Sequence, residues 1–284
     1  MASASASSSP ATGPCRRPIT DAVTASPAFA PDSRLVAAVR PSPNHGERQG
    51  GARPDALVLH YTGMADGPSA LRRLCDPAAE VSSHYLVEED GAVLQLVPEA
   101  RRAWHAGREP WAGRHDLNSA SIGIEVVNGG HDFGLPPFPE AQVAALEALC
   151  RDILQRCGIA PARVLAHSDI APSRKQDPGE RFPWARLAAA GIGLWVPPSL
   201  DAAPADALSA EAVVALQSDL ARFGYGIAPT GTHDAASRDV VAAFQRRHRP
   251  ARVDGALDPG TRDTLARLMA LRFGAGPEAA PARA

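Results

Sequence analysis

The chain lacks several features, and each absence narrows what it can be. No stretch approaches the roughly 18 consecutive apolar residues of a membrane span. No two of its four cysteines, Cys15, Cys75, Cys150 and Cys157, have C-x-x-C spacing, so neither a zinc knuckle nor a dithiol redox motif is expected. Cys150 and Cys157 fall seven apart in a helical pattern and are expected as buried free thiols. Excess charge of one sign is missing too: 29 Lys and Arg face 31 Asp and Glu, a formal charge of -2. That gives no reason to expect nucleic acid as a partner, because gripping phosphates needs a clustered basic face. Residues 1–14 have neither a basic n-region nor an apolar signal core, and Cys15 follows Pro14 with no hydrophobic run before it. They read as a disordered leader, or as a start placed away from a true signal.

What remains is an ordinary globular composition, 45% hydrophobic and 21% charged over 284 residues. That length suits one catalytic domain plus one small module. Residues 1–33 are small and Pro-interrupted and read as a disordered arm. Residues 40–54 read as an ordered loop. "ALVLHY" at 56–61 reads as a buried strand and 68–75 as a helix. "HYLVEE" and "AVLQLV" flank Asp90-Gly91, a two-residue hairpin signal. "SIGIEVVN" and "RVLAH" read as further strands, separated by a helix over 140–156, and a short helix is expected near Pro183. Strands mixed with helices imply an α/β fold, one mixed sheet with helices on its faces, over 34–195. A Pro- and Ala-rich linker follows at 196–206. Three helices, over 207–223, 235–248 and 261–272, then make a small module within 207–275, and 276–284 reads as a tail. Thr232 or Asp234 is expected to cap the second of these helices, and Asp258 or Thr261 the third.

Three segments carry donor atoms suited to a metal. "LVLHYT" places His60 near a strand end, "VLAHSD" places His167 at another, and "RKQDPG" places Asp177 ten residues later, before Pro178. Two imidazoles and a carboxylate suit a catalytic zinc, which keeps a fourth position for water, acidifies that water and polarises a carbonyl. Taken one at a time, a strand-end His is more often structural, and an Asp before Pro is usually a turn former. Glu125 lies in an apolar strand, where its charge is costly without partners. It reads as a general base or as the solvent side of an alternating strand. Lys175 reads as an oxyanion partner or as an exposed, uninvolved lysine.

Taken together and in order, "LVLHYT", "SSHYLVEEDG", "QLVPEARRAWHAG", "LNSASIGIEVVN" and "VLAHSDIAPSRKQDPGERFPW" resemble the zinc amidase-2 family of N-acetylmuramoyl-L-alanine amidases over residues 40–195. Within it the likeness is to the AmiD-like group, which pairs this domain with a helical C-terminal module. The family shares its fold with peptidoglycan recognition proteins. The resemblance implies one Zn2+ per chain held by His60, His167 and Asp177, with Glu125 as catalytic acid/base and Lys175 stabilising the tetrahedral intermediate. It further suggests Trp104 and His105 at the rim of the substrate cleft and Asn118 in its wall. His84 is expected to be structural, and His45, His115 and His131 receive no role. The family often continues "DPGP", whereas here Glu180 follows Gly179.

The segments "LQSDLARFGYGI", "VVAAFQRRH" and "VDGALDPGTRDTLARL" resemble a three-helix peptidoglycan-binding domain, which would hold the enzyme near a polymeric wall. The implied activity is hydrolysis of the amide between the muramic acid lactyl group and L-alanine of the stem peptide. A non-catalytic peptidoglycan recognition module and a zinc peptidase cutting within the stem stay open as alternatives. The expected partners are peptidoglycan or muropeptides, with no nucleic acid and a monomeric chain. The wall-binding module favours the cell envelope or periplasm, and the lack of a clear signal leaves the cytoplasm open.

Overall fold

The computed structural model describes Met1 and residues 29–199 and 208–274. The expected leader up to residue 28, most of the linker and the tail from residue 275 lie outside the described residues. Two short strands, β1 (Ala38–Val39) and β2 (His45–Glu47), precede the central strand β3 (Ala56–Tyr61) and helix α1 (Gly67–Cys75). Strands β4 (Tyr85–Val87), β5 (Val93–Gln95) and β6 (Arg101–Ala103) come next, then a short helix α2 (Leu117–Ala120) that runs directly into β7 (Ser121–Val126). Helix α3 (Glu140–Cys157), strand β8 (Val164–Ala166), helix α4 (His167–Ile170) and helix α5 (Trp184–Ala189) complete the larger domain. The main sheet has the order β1-β5-β4-β7-β3-β8 and is mixed, with β4 and β5 antiparallel and the other pairs parallel.

The two faces of β3 bury different things because side chains alternate along a strand. Leu57 and Leu59 point toward α3, whose Val143, Leu146, Leu149, Cys150 and Ile153 form one buried stripe. Val58 points the other way, into a cluster built with residues of the C-terminal module. His60 is two residues on from Val58, and so lies on that second side.

Some expectations shift. Residues 29–33, read as part of the arm, are held in place: Asp32 Oδ2 accepts from Gln95 Nε2 at 2.5 Å and from the Glu99 amide at 2.9 Å, and Ser33 is buried. The stretch 40–54 is not all loop, since β2 pairs antiparallel with β6. The hairpin turn is closed by the amide of Glu88 on Ala92 O, leaving three residues between them. Gly91 sits there at φ 89°, a conformation in which a Cβ is strained. Cys150 is buried as expected, but Cys157 is only half-buried, its Sγ 3.8 Å from Glu99 Oε2.

Helices α6 (Ala210–Phe223), α7 (Ala235–His248) and α8 (Pro259–Phe273) form the C-terminal module. Of the expected caps, Asp234 accepts from the Ser237 amide and Asp258 from the Thr261 amide, satisfying donors that no helical carbonyl reaches. Thr232 and Thr261 do not cap. The module is docked on the sheet domain. Trp111 is buried edge-on against Phe223 and Tyr225, and Gly224 lies so close that a Cβ there would come within 2.4 Å of the indole.

Candidate metal centre and cleft

Parallel strands side by side bring their C-terminal ends to one edge, where α/β sheets form their crevices. His60 pairs in register with Glu125 on β7, and Leu59 pairs with Ala166 on β8, the residue before His167. Asp177 reaches the same spot because its carbonyl accepts from the amide of Ser168, tying its loop to α4. His60 Nδ1, His167 Nδ1 and Asp177 Oδ2 then form a triangle with sides of 3.0, 2.9 and 3.0 Å.

Hydrogen bonding alone does not satisfy this triangle. Both imidazole nitrogens would have to donate to the one carboxylate oxygen, and two N–H groups would then face each other at 3.0 Å. A cation resolves the conflict, since three lone pairs can share one ion with bonds of about 2 Å. All three side chains are buried, and among the described residues they are the one His/Cys/Asp/Glu group placed to share an ion. Burial, and then the neighbouring His167, lower the pKa of His60 to about 4, so its ring is neutral at pH 7 as a ligand must be. Burial opposes ionisation of Asp177, but the charges and hydrogen bonds of His167 and His60 prevail and hold it well below the usual carboxylate range. The residues present fit a zinc ion.

A proton chain fixes which nitrogen of His60 is free. Ser121 Oγ donates to Leu117 O at 2.6 Å, so its oxygen is left to accept from His105 Nε2 at 3.3 Å. His105 Nδ1 must then accept from His60 Nε2 at 3.1 Å, leaving the Nδ1 lone pair of His60 facing the triangle. Such partners orient metal-ligating imidazoles and set their tautomer. Gly123 makes room for this, because a Cβ there would come within 2.6 Å of the His105 ring. Sequence reading put His105 at the cleft rim as a substrate contact. The structure places it in the cleft lining next to His60, 8% exposed, with both ring nitrogens engaged.

Asn118 sits further back, its Oδ1 accepting from the amides of His105 and Ala106 at 2.9 and 2.7 Å. It shapes the wall by pinning that loop. Trp104 lines the cleft, its backbone paired with Ser82. His84 is buried apart from the triangle, its Nδ1 accepting from the Gly123 amide and its Nε2 donating to Arg101 O.

The triangle opens into a cleft of about 620 Å³, with Glu125, Lys175, Trp104 and Tyr61 also in its walls. Glu125 is half-buried, with its Oε2 atom shut off from solvent. Burial, and then the charge of Asp177, raise its pKa well above the ordinary carboxylate value, and its Oε2 has no hydrogen-bond partner. Lys175 is near enough for its charge to act on both His60 and Glu125. His131 received no role from sequence, yet it bridges Tyr61 Oη at 2.9 Å and Glu180 Oε2 at 3.0 Å. No local signal marked it, because its partners are 70 and 49 residues away.

Comparison with known proteins agrees with this geometry. Residues 50–180 match the family model described as N-acetylmuramoyl-L-alanine amidase, and residues 209–265 match that of a peptidoglycan binding domain. The chain is 39% identical over 240 residues to N-acetylmuramoyl-L-alanine amidase AmiD of Escherichia coli, covering 78% of this chain and 84% of that protein. It is 35% identical over 171 residues to 1,6-anhydro-N-acetylmuramyl-L-alanine amidase AmpD of the same organism, covering 54% and 91%. Among solved structures, E. coli AmiD in complex with the substrate anhydro-N-acetylmuramic acid-L-Ala-D-gamma-Glu-L-Lys matches with a TM-score of 0.68 and 37% identity, over 81% of this chain and 98% of that one. AmpDh3 from Pseudomonas aeruginosa matches with a TM-score of 0.66 and 34% identity, over 80% and 95%. The chain therefore belongs to the amidase-2 family, as an N-acetylmuramoyl-L-alanine amidase with a peptidoglycan-binding domain at its C-terminal end.

Proposed function

We propose that the chain hydrolyses the lactyl–L-alanine amide of muropeptides, including those with an L-Ala-D-γ-Glu stem, at a zinc ion held by His60, His167 and Asp177. The observation that carries the reading is the buried triangle of donor atoms with Glu125 beside it. Bound zinc would supply Lewis-acid chemistry, polarising the scissile carbonyl and making water nucleophilic near neutral pH. Glu125 takes the proton of the attacking water and returns it to the L-alanine nitrogen as the C–N bond breaks. The products are a lactyl carboxylate and a free amine. The raised pKa of Glu125 suits this work, because its carboxyl holds a proton more readily than an exposed one does. Lys175 places an ammonium toward the oxygen that becomes negative. Trp104 provides an apolar wall, while His105 and Asn118 act as positioning residues behind the metal site.

The docked wall-binding module supports action on peptidoglycan or its fragments in the cell envelope. No helix among the described residues is long and apolar enough to cross a membrane. Incubation with anhydromuramoyl-L-Ala-D-γ-Glu-L-Lys and mass spectrometry of the products tests the reading. Release of the intact tripeptide with a free L-alanine amine is expected. A cut inside the stem, or untouched substrate in the presence of zinc, would overturn it.

A further inference from the structure

The C-terminal module does more than cover the sheet: it supplies part of the catalytic cleft wall. Asp239, Ala242 and Arg246 line the same cleft as His60 and Glu125. Their spacing of i, i+3 and i+7 puts them on one stripe of α7, and the small Ala242 leaves the stripe open between its two charged ends. The Arg246 side chain is only 11% exposed. Among the described residues the side chain makes no hydrogen bond, and its buried Nε has only a long ion-pair contact.

The nearest carboxylate oxygen to Arg246 is Glu180 Oε2, at 3.9 Å from Nε, too far for a hydrogen bond. Glu180 is already engaged by His131 at 3.0 Å. Burial strips Arg246 of water, and its charge acts on Tyr61, the residue that follows His60. A desolvated guanidinium with unused donors is costly unless an anion completes it, and its fork matches a carboxylate. A glutamate joined through its γ-carboxyl keeps its α-carboxylate free, one residue beyond the scissile alanine.

We propose that Arg246, although it belongs to the peptidoglycan-binding module, is a substrate-contacting residue of the amidase cleft that binds the free α-carboxylate of the γ-linked glutamate in the stem. The inference rests on the amidase reading above. It makes the module a specificity element of the active site as well as an anchor.

The test uses the full chain and two substrates: anhydromuramoyl-L-Ala-D-γ-Glu-L-Lys and the same molecule with the glutamate α-carboxylate converted to an amide. Wild type is expected to favour the carboxylate form by about ten- to a hundredfold in kcat/KM, chiefly through KM. Arg246→Ala is expected to lose that preference while zinc content and unfolding midpoint stay unchanged, and Arg246→Lys to regain part of it. A preference that persists in Arg246→Ala, or an equal loss on both substrates, would overturn the assignment. Wild type that releases no stem peptide from either substrate would sink the amidase reading. Calorimetric binding of the two molecules to wild type and Arg246→Ala would then still decide whether Arg246 holds the carboxylate.

Discussion

Arg247 Nη1 meets Asp169 Oδ2 at 2.6 Å, with 4% and 1% of the two side chains exposed. Asp169 lies two residues after His167, and its Oδ2 also accepts from the amide of Ala166 while its Oδ1 accepts from Tyr225 Oη at 2.7 Å. The guanidinium further stacks on the Trp184 ring, 4.1 Å from its centroid. One carboxylate thus holds the short helix carrying His167 and receives two side chains of the C-terminal module. Replacing Arg247 by Met would leave that carboxylate buried without its cation, a loss of about 3–5 kcal/mol. Denaturant unfolding should show it, with zinc lost at lower chelator concentration. An unchanged midpoint would refute the coupling of module to metal site.

Glu125→Gln keeps the shape of the side chain and removes its capacity to take a proton. Zinc content should equal that of wild type, while kcat falls by about 10²–10⁴. Turnover within a few-fold of wild type would remove Glu125 from the reaction.

Lys175 is the chain's single lysine, so amine chemistry addresses it with only the N-terminus as a competitor. Acetylation, which removes its charge, should abolish most activity. Reductive dimethylation, which keeps the charge, should spare much more. Equal effects of the two treatments, read by mass shift against residual kcat, would argue against an electrostatic role.

His105→Ala breaks the chain that leaves His60 Nδ1 unprotonated. Zinc affinity should drop by about 10–100-fold, and His105→Gln, which can still accept from His60 Nε2, should recover part of it. A substrate contact with no hold on His60 would instead raise KM and leave zinc binding intact, which competition with a chelator distinguishes.

The metal-free protein should lose stability in mild acid. The pKa of His60 is lowered to about 4 and that of His84 to about 3, in each case first by burial. Below the ordinary histidine value of about 6.5 the unfolded chain therefore binds protons that the folded chain refuses. Stability is fully present above that value and falls with pH until the folded pKa is reached, by on the order of 3 kcal/mol for His60. Asp177, with its lowered pKa, adds a loss of the same sign at still lower pH. Urea midpoints of the metal-stripped protein at pH 7 and pH 4.5 check this, and a flat profile would contradict the burial of neutral rings.

Much of this protein was legible in the chain itself, because periodicity records burial. The run 56–61, the stripe of α3 and the three terminal helices each announce the face they hide. His60, His167, Asp177, Glu125 and Lys175 stand out as candidates in short segments, and the ordered resemblance of those segments over residues 40–195 implies their roles. The tertiary structure alone decided where His105 faces, that His131 bridges Tyr61 and Glu180, and that Arg246 turns into the cleft. Each of those facts depends on residues dozens of positions apart meeting when the sheet closes and the module docks. No local pattern encodes such a meeting: it is set by which strand ends lie side by side and by which helix stripe the packing leaves facing the site.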